Sequence, residues 1–284
     1  MISRVRRTAT ERVDVVRVRG GERRSDADQV AVEEPLEIRL EWEGPEGRNR
    51  TNIAVTMRTP GDDFELAAGF LFGEGIVGGR DEIADIAYCL DASPEQEFNV
   101  VTVTLRVGVA FDPTVLQRNF YATSSCGVCG KASIEAIEHR GCRTVASGFK
   151  VGEAVLRALP ATLREAQSAF EVTGGLHAAG LFDGRGRLLA AKEDVGRHNA
   201  VDKVIGEQLM AGALPLAERV LALSGRASFE LVQKAVAAGI PVVVAVGAPS
   251  SLAVRTAAAF GVTLAGFVRG DGFNVYAGGM RITG

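Results

Sequence analysis

Two cysteines separated by two residues, Cys126 and Cys129, stand in the run Tyr121-Ala-Thr-Ser-Ser-Cys-Gly-Val-Cys-Gly-Lys. Small residues surround them, with Ser124 and Ser125 before the pair, Gly127 inside it and Gly130 after it. The segment that follows, Ala132 to Arg140, places Ile134 and Ile137 three apart, and Gly141 supplies a stop signal. That is the pattern of a short helix. The thiols are therefore expected at or just before a helix N-terminus, where unpaired N–H groups favour thiolate over thiol. Lys131 adds a cation nearby. Cys126 reads as a candidate nucleophile on a glycine-hinged loop.

Four uses compete for such a pair. Two idle thiols are the bland one. A zinc site needs four ligands, and Cys126, Cys129, His139 and Cys142 form a tempting set. If residues 131 to 140 are helical, at about 1.5 Å per residue His139 lies roughly 12–15 Å from the pair, too far to close a tetrahedron with bonds of about 2.0–2.3 Å. A thioredoxin-like dithiol is the third use, although no clear βαβ beginning lies upstream. The fourth is a sulfur carrier holding a persulfide on one cysteine, which needs an accessible thiolate able to meet both a donor and an acceptor. Spacing alone leaves the last two open. Cys89 and Cys142 fall outside any motif and read as core or incidental thiols.

The rest of the chain must position this loop. Its 284 residues are 46% apolar and 24% charged, enough for one large or two modest domains. A net charge of −3 gives no global electrostatic case for nucleic acid or a membrane surface. The longest apolar run, Ile240 to Val246, is far too short for a bilayer span. Residues 1 to 24 are Arg-rich without a following apolar stretch, so no secretory signal is expected. Four cysteines do not make a disulfide scaffold, and a cytoplasmic, reducing location is the default expectation.

Residues 1 to about 30 are polar and charged, and partial disorder is expected there, with Arg12 to Arg19 as a first strand. Glu37 to Trp42 and Asn52 to Met57 alternate with period 2 around a Gly-Pro-Glu-Gly turn and read as a hairpin. Thr59-Pro-Gly-Asp-Asp opens a helix, with Thr59 or Asp62 as its cap. Val100 to Val107 is another strand. Residues 151 to 170 are helical, and Pro160 is expected to split them into two helices. From Val172 short apolar strands alternate with helices: strands at 176–182, 187–191, 220–223, 241–246 and 263–268, and helices at 198–211, 228–238 and 251–260. Such a pattern predicts a parallel sheet covered on both faces. The chain divides into a β-rich N-terminal region (1–120), the cysteine loop (121–131) and an α/β domain (132–284).

Ligands of open α/β sheets lie beyond the carboxyl ends of the strands. There this chain carries Ser224-Gly-Arg-Ala-Ser, Gly247-Ala-Pro-Ser-Ser and Arg269-Gly-Asp-Gly. The first two lead into helix N-termini, and Arg226 and Arg269 suit phosphate contacts. The cluster describes a rim for a phosphorylated ligand. No P-loop and no dinucleotide-type glycine fingerprint is present. A dense charged island, Lys192 to Lys203, surrounds His198. It is either a capped, solvated helix start with His198 paired to Asp202, or a reactive site. His177 lies on an apolar strand, where a histidine is more often a satisfied core residue.

Taken together, these motifs resemble the FdhD family, the formate dehydrogenase accessory sulfurtransferases. The matching stretches are Asn119 to Lys131, Thr173-Gly-Gly-Leu-His, Glu193-Asp-Val-Gly-Arg-His-Asn, Asp202-Lys, Ser224-Gly-Arg-Ala-Ser, Leu252-Ala-Val, Phe267 to Gly272 and the Tyr276 region. One departure is Gly247-Ala-Pro-Ser where the family usually has Ser-Ala-Pro-Thr. The resemblance implies an α/β, cytidine-deaminase-like three-layer fold of sheet and helices with a smaller β-rich N-terminal region, and a homodimer. It implies a sulfurtransferase: a cysteine desulfurase places a persulfide on Cys126, with Cys129 beside it. The sulfur then passes to Mo-bis(molybdopterin guanine dinucleotide) before that cofactor enters formate dehydrogenase. Cofactor contacts are expected at Phe267, Val268, Arg269, Gly270, Asp271 and Gly272, joined by Ser224, Arg226, His177 and Arg197, with no structural metal. Deamination is not expected, because Ser125 replaces the proline of P-C-x-x-C and His177 lacks the glutamate of H-x-E. Two alternatives remain beside the carrier: a non-catalytic cofactor-binding chaperone, and a dithiol redox protein using Cys126 and Cys129.

Overall fold

A computed structural model describes residues 8–45, 47–89, 98–112, 144–145 and 148–284. The cysteine loop, the helix expected at 132–140, His139 and Cys142 lie outside the described residues. The chain begins with a hairpin of β1 (Thr10–Arg19) and β2 (Glu22–Ala31). Partial disorder was the expectation for this polar and charged stretch, with Arg12 to Arg19 as a strand, and β1 contains that strand. The hairpin satisfies its backbone by pairing and leaves both faces wet, with Val16 60% and Val18 59% exposed.

A four-stranded sheet follows, in the order β4–β3–β6–β5, built from β3 (Glu34–Gly44), β4 (Gly47–Arg58), β5 (Ile83–Tyr88) and β6 (Val100–Leu105). β3 and β4 form the expected hairpin, paired from Glu34↔Arg58 to Gly44↔Gly47. Leu36, Ile38 and Leu40 alternate inward along β3, and with Val101 and Val103 they pack on Leu66 and Leu71 of α1 (Asp63–Gly73). Neither expected cap closes α1. Asp62 makes no capping bond and instead pairs with Lys192 at 2.9 Å, and the Thr59 hydroxyl accepts from Val195 N.

The second sheet has six strands in the order β13–β12–β11–β10–β8–β9. These are β8 (His177–Phe182), β9 (Leu188–Asp194), β10 (Val220–Leu223), β11 (Val242–Ala245), β12 (Thr263–Arg269) and β13 (Gly272–Ala277). Only β10, β11 and β12 are parallel to one another as neighbours. The expected parallel sheet is mixed: Asp183-Gly turns β8 back into β9 as a hairpin, as the sequence suggests, but β8 also runs antiparallel to β10, and β13 runs antiparallel to β12. Among the described residues a short pair of β7 (Val151–Gly152) and β14 (Ile282–Thr283) completes the strands.

Helices cover both faces, giving three layers. On one face lies α2 (Glu153–Glu165), with Leu156, Leu159 and Leu163 at spacings of three and four against Phe182, Ala222 and Val244. Pro160 stays inside α2 rather than splitting it. The buried leucine stripe on either side of Pro160 offsets the one hydrogen bond that proline cannot donate. The break comes at Ala166–Gln167, before α3 (Ser168–Thr173). The other face carries α4 (Arg197–Met210), α5 (Phe229–Ala237) and α6 (Ser251–Ala259).

The two sheets are joined where α1 crosses α4. Gly69 faces the Asp202 carbonyl and Gly206 faces the Glu65 carbonyl so closely that a Cβ on either would overlap the opposing backbone. Glycine is required there for lack of space.

Candidate functional site

The charged island supplies the local frame. β9 ends at Asp194, which is fully buried and 2.7 Å from the equally buried Lys203. The Asp194 carboxylate also accepts from Thr59 N, Gly196 N and Asn199 Nδ2, while Lys203 donates to the Thr59 and Glu193 carbonyls. Glu193 accepts from Ala169 N and Phe170 N and so closes the start of α3. Much of the island is thus a fastener between the N-terminal region and the second sheet. The pairing of His198 with Asp202 is absent. Asp202 pairs with Lys234 at 2.6 Å, and His198 Nε2 lies 3.2 Å from Ser228 Oγ and 3.7 Å from Glu230. The nearby His198 ring pulls the Glu230 carboxyl down to about 2.

What remains of the island turns toward the carboxyl ends of β10, β11 and β12. β8 runs against β10 with Ala179 opposite Leu223, so His177 stands just beyond the end of β10. Ser224 fixes this corner: its Oγ accepts from Ala178 N at 2.8 Å, and its N–H donates to Ala178 O. The His177 ring closes over Gly225, where an added Cβ would lie 3.3 Å from Nδ1. Burial lowers the His177 pKa, and the neighbouring Arg197, His198 and Arg226 lower it further, which favours the neutral imidazole.

The rim continues without a gap. Arg226 Cγ would lie 3.0 Å from a Cβ on Gly247, and Gly247 O accepts from Phe267 N. A side chain at 247 would crowd the Arg226 stem. Ser250 spends its hydroxyl on the α6 cap, accepting from Ala253 N. Phe267 holds a left-handed φ of 54° and is 42% exposed. A bulge between Gly266 and Arg269 releases it from the strand pattern. From β8 to β12 the rim crosses three strand spacings, about 14 Å.

Arg197, Arg226 and Arg269 form no ion pair among the described residues, and Arg197 Nε is buried without a hydrogen-bond partner. A buried guanidinium nitrogen left unpaired is an unmet cost until an acceptor arrives. The amino-terminal ends of α4 and α5 open onto the same rim with no side-chain cap. Such an arrangement binds anions. Beside it, α2 and α3 enclose a cavity of about 680 Å³ that shares His177 and Ser224 with the rim.

The structure therefore brings His177, Arg197, Ser224, Arg226 and Phe267 together. Arg269, Gly270 and Asp271 are exposed at the β12–β13 turn, with Gly272 half-buried behind them. Val268 is fully buried in the core, and only its backbone can reach a ligand. Cys126 and Cys129 lie outside the described residues. No group of three His, Cys, Asp or Glu side chains among the described residues is placed to hold a metal. No described helix is long and apolar enough to cross a membrane.

A model of the FdhD/NarQ family matches residues 31–283. The chain belongs to this family. It is 52% identical over 277 residues to "Sulfur carrier protein FdhD" of Streptomyces avermitilis, covering 96% of this chain and 95% of that protein. The protein of the same name from Mycobacterium tuberculosis is 50% identical over 275 residues, covering 92% and 96%. A crystal structure of a candidate formate dehydrogenase accessory protein from Desulfotalea psychrophila superposes with a TM-score of 0.75 at 27% identity, covering 97% and 100%. The FdhD/NarQ match spans both sheets and begins at the end of the β1–β2 hairpin.

Sequence reasoning placed Ser228 on the rim within Ser224-Gly-Arg-Ala-Ser but missed its contact with His198, and it missed Gln167 and Glu230 as members of this corner. A lone glutamine between two helices carries no pattern, and the meeting of Ser228 with His198 spans 30 residues.

Proposed function

We propose that the chain is a sulfur carrier serving formate dehydrogenase. In this reading the Cys126 thiolate attacks the outer sulfur of a cysteine desulfurase persulfide. The donor S–S bond breaks, the donor thiolate leaves, and Cys126 keeps the sulfur. The sulfur then passes to Mo-bis(molybdopterin guanine dinucleotide), a substrate held on the rim, before that cofactor is inserted into formate dehydrogenase. The carrier acts in the cytoplasm as a homodimer.

Membership of a family whose relatives bear the name sulfur carrier supports the first half. The observation that carries the second is the rim itself. Arg197, Arg226 and Arg269 stand along it without carboxylate partners among the described residues, next to two uncapped helix starts. Guanidinium groups left free in this way suit the bridging phosphates of a dinucleotide.

The test is intact-mass spectrometry after incubation with a desulfurase and cysteine, followed by peptide mapping. A gain of one sulfur atom on Cys126, lost in Cys126→Ala, is expected. If Cys126→Ala still activates formate dehydrogenase while Arg226→Ala does not, the protein is a cofactor chaperone. A cycling Cys126–Cys129 disulfide with no sulfur gain would make it a dithiol redox protein.

A further inference from the structure

We propose that the outer edge of β1 is a docking edge for an extended segment of a partner protein, one in which apolar and acidic residues alternate, added to the β1–β2 hairpin as a third strand. It depends neither on the sulfur-carrier reading nor on the phosphate rim.

The hairpin is shaped as an arm. Gly20 and Gly21 close it in a two-residue turn with φ of 58° and 89°, the positive values that a tight hairpin turn requires. Its root is fixed: Val32 N donates to Ala9 O at 2.9 Å, and a Cβ on Gly175 would lie 3.7 Å from that of Ala31. β2 is the strand that leans on α3. The length of β1, at about 3.3 Å per residue, carries the turn roughly 30 Å from this root. Two strands with no buried residue are marginal alone, and a third strand adds stability. Among the described residues β1 pairs with β2 only. Alternate residues along β1 therefore turn N–H and C=O toward an edge with no partner strand.

The side chains on that edge define its complement. Val16 and Val18 stand exposed on one face of β1, and Arg17 and Arg19 on the other. On β2, Arg23 lies opposite Val18 and Arg24 opposite Arg17. Arg17 is held by Asp26 at 2.9 Å and Asp28 at 3.4 Å, while Arg19, Arg23 and Arg24 form no ion pair among the described residues. A strand laid beside β1 meets valine on one face and arginine on the other, with period 2. Its best match sets apolar residues beside the valines and carboxylates beside the arginines. A second copy does not fit. Two β1 strands paired antiparallel about Arg17 set arginine against arginine, and like charges directly opposite are destabilising. A phosphate backbone running down the hairpin would meet Asp14, Asp26 and Asp28 below the arginines and would leave the valines wet.

Fluorescence anisotropy of the full chain with short labelled peptides tests this. A peptide alternating valine and glutamate should bind about tenfold more tightly than one with the same residues in two blocks, and than one alternating valine and lysine. Methylating the backbone nitrogens at odd positions, or at even ones, should give one binder and one non-binder, because only one set faces β1. Arg17→Ser with Arg19→Ser should weaken the alternating peptide about tenfold. Val16→Thr with Val18→Thr should also weaken it, while keeping strand-forming residues in β1. All four side chains are exposed, so the melting temperature should hold. Equal binding of the block peptide, or of the two methylated peptides, would reduce the edge to unspecific charge attraction and overturn the proposal. An oligonucleotide or a phosphatidylglycerol vesicle that binds the hairpin more tightly than the alternating peptide would overturn it as well. If no probe binds, the proposal falls and the arginines are a guard against edge-to-edge pairing.

Discussion

The Asp194 carboxylate lies 2.7 Å from the Lys203 ammonium, and neither side chain reaches solvent. Around them Thr59 contributes an N–H donor and a carbonyl acceptor from the far side of the seam. Removing Asp194 leaves a buried cation unpaired. Asp194→Ala should lower stability by about 3–5 kcal/mol, read as a fall in the urea midpoint. The double variant Asp194→Leu with Lys203→Met should recover most of that loss, since it removes both charges. A double variant no better than the single would mean that packing, not charge, sets the cost.

Glu230 offers a pH test at the rim. Its contact with His198 holds the folded-state value at about 2, below the ordinary 4.5. A depressed carboxylate contributes stability that is present above the unfolded value and is lost as pH falls through the folded one. The window therefore runs from about pH 4.5 down to about pH 2. Carbon-detected NMR at pH 3.5 should find Glu230 ionised. His198→Asn should return its midpoint toward the ordinary range.

For His177 the sign is opposite in origin and equally definite. Its folded value lies below 6.5, so the unfolded chain binds the extra proton first and stability falls as pH drops below about 6.5. Imidazole NMR signals should place the His177 midpoint below the ordinary histidine value. Arg197→Ala and Arg226→Ala should each raise its midpoint. Bound pyrophosphate should raise it as well, by neutralising the two arginines. Failure of the ligand to move it would place the anion elsewhere.

Phe267 is the strained residue of the rim. A left-handed φ of 54° costs a phenylalanine about 1–2 kcal/mol, yet 42% of its surface meets solvent rather than core. Phe267→Gly should therefore raise the melting temperature while weakening binding of the dinucleotide-type ligand. A variant that is stabilised and binds normally would show that the exposed ring is idle.

The strands around Leu36, Ile38 and Leu40 and the three parallel strands are plain in the sequence, because buried apolar runs state their own period. Other elements are hidden for physical reasons. In β5 a register shift between Ile83 and Asp85 puts the inward residues Ile83 and Ile86 three apart, which mimics a helix. In the β1–β2 hairpin only β1, with its valines, shows in the sequence, because β2 is almost wholly polar and no residue of either strand is fully buried. Along the rim, Ser224-Gly-Arg-Ala-Ser is legible because strand-end glycines beside an arginine announce themselves. The buried roles of Asp194 and Lys203 are not, because their decisive partner, Thr59, lies 135 residues away from Asp194. Gln167 is unreadable until Glu193 is seen to have taken its usual partners.

The crossing of α1 and α4 at Gly69 and Gly206 has a bearing on how the protein melts. Two helices in backbone contact share no layer of side chains that could slide, so the seam has no soft mode. The sheets on either side are thus one mechanical body, and heat should take them apart in a single cooperative step.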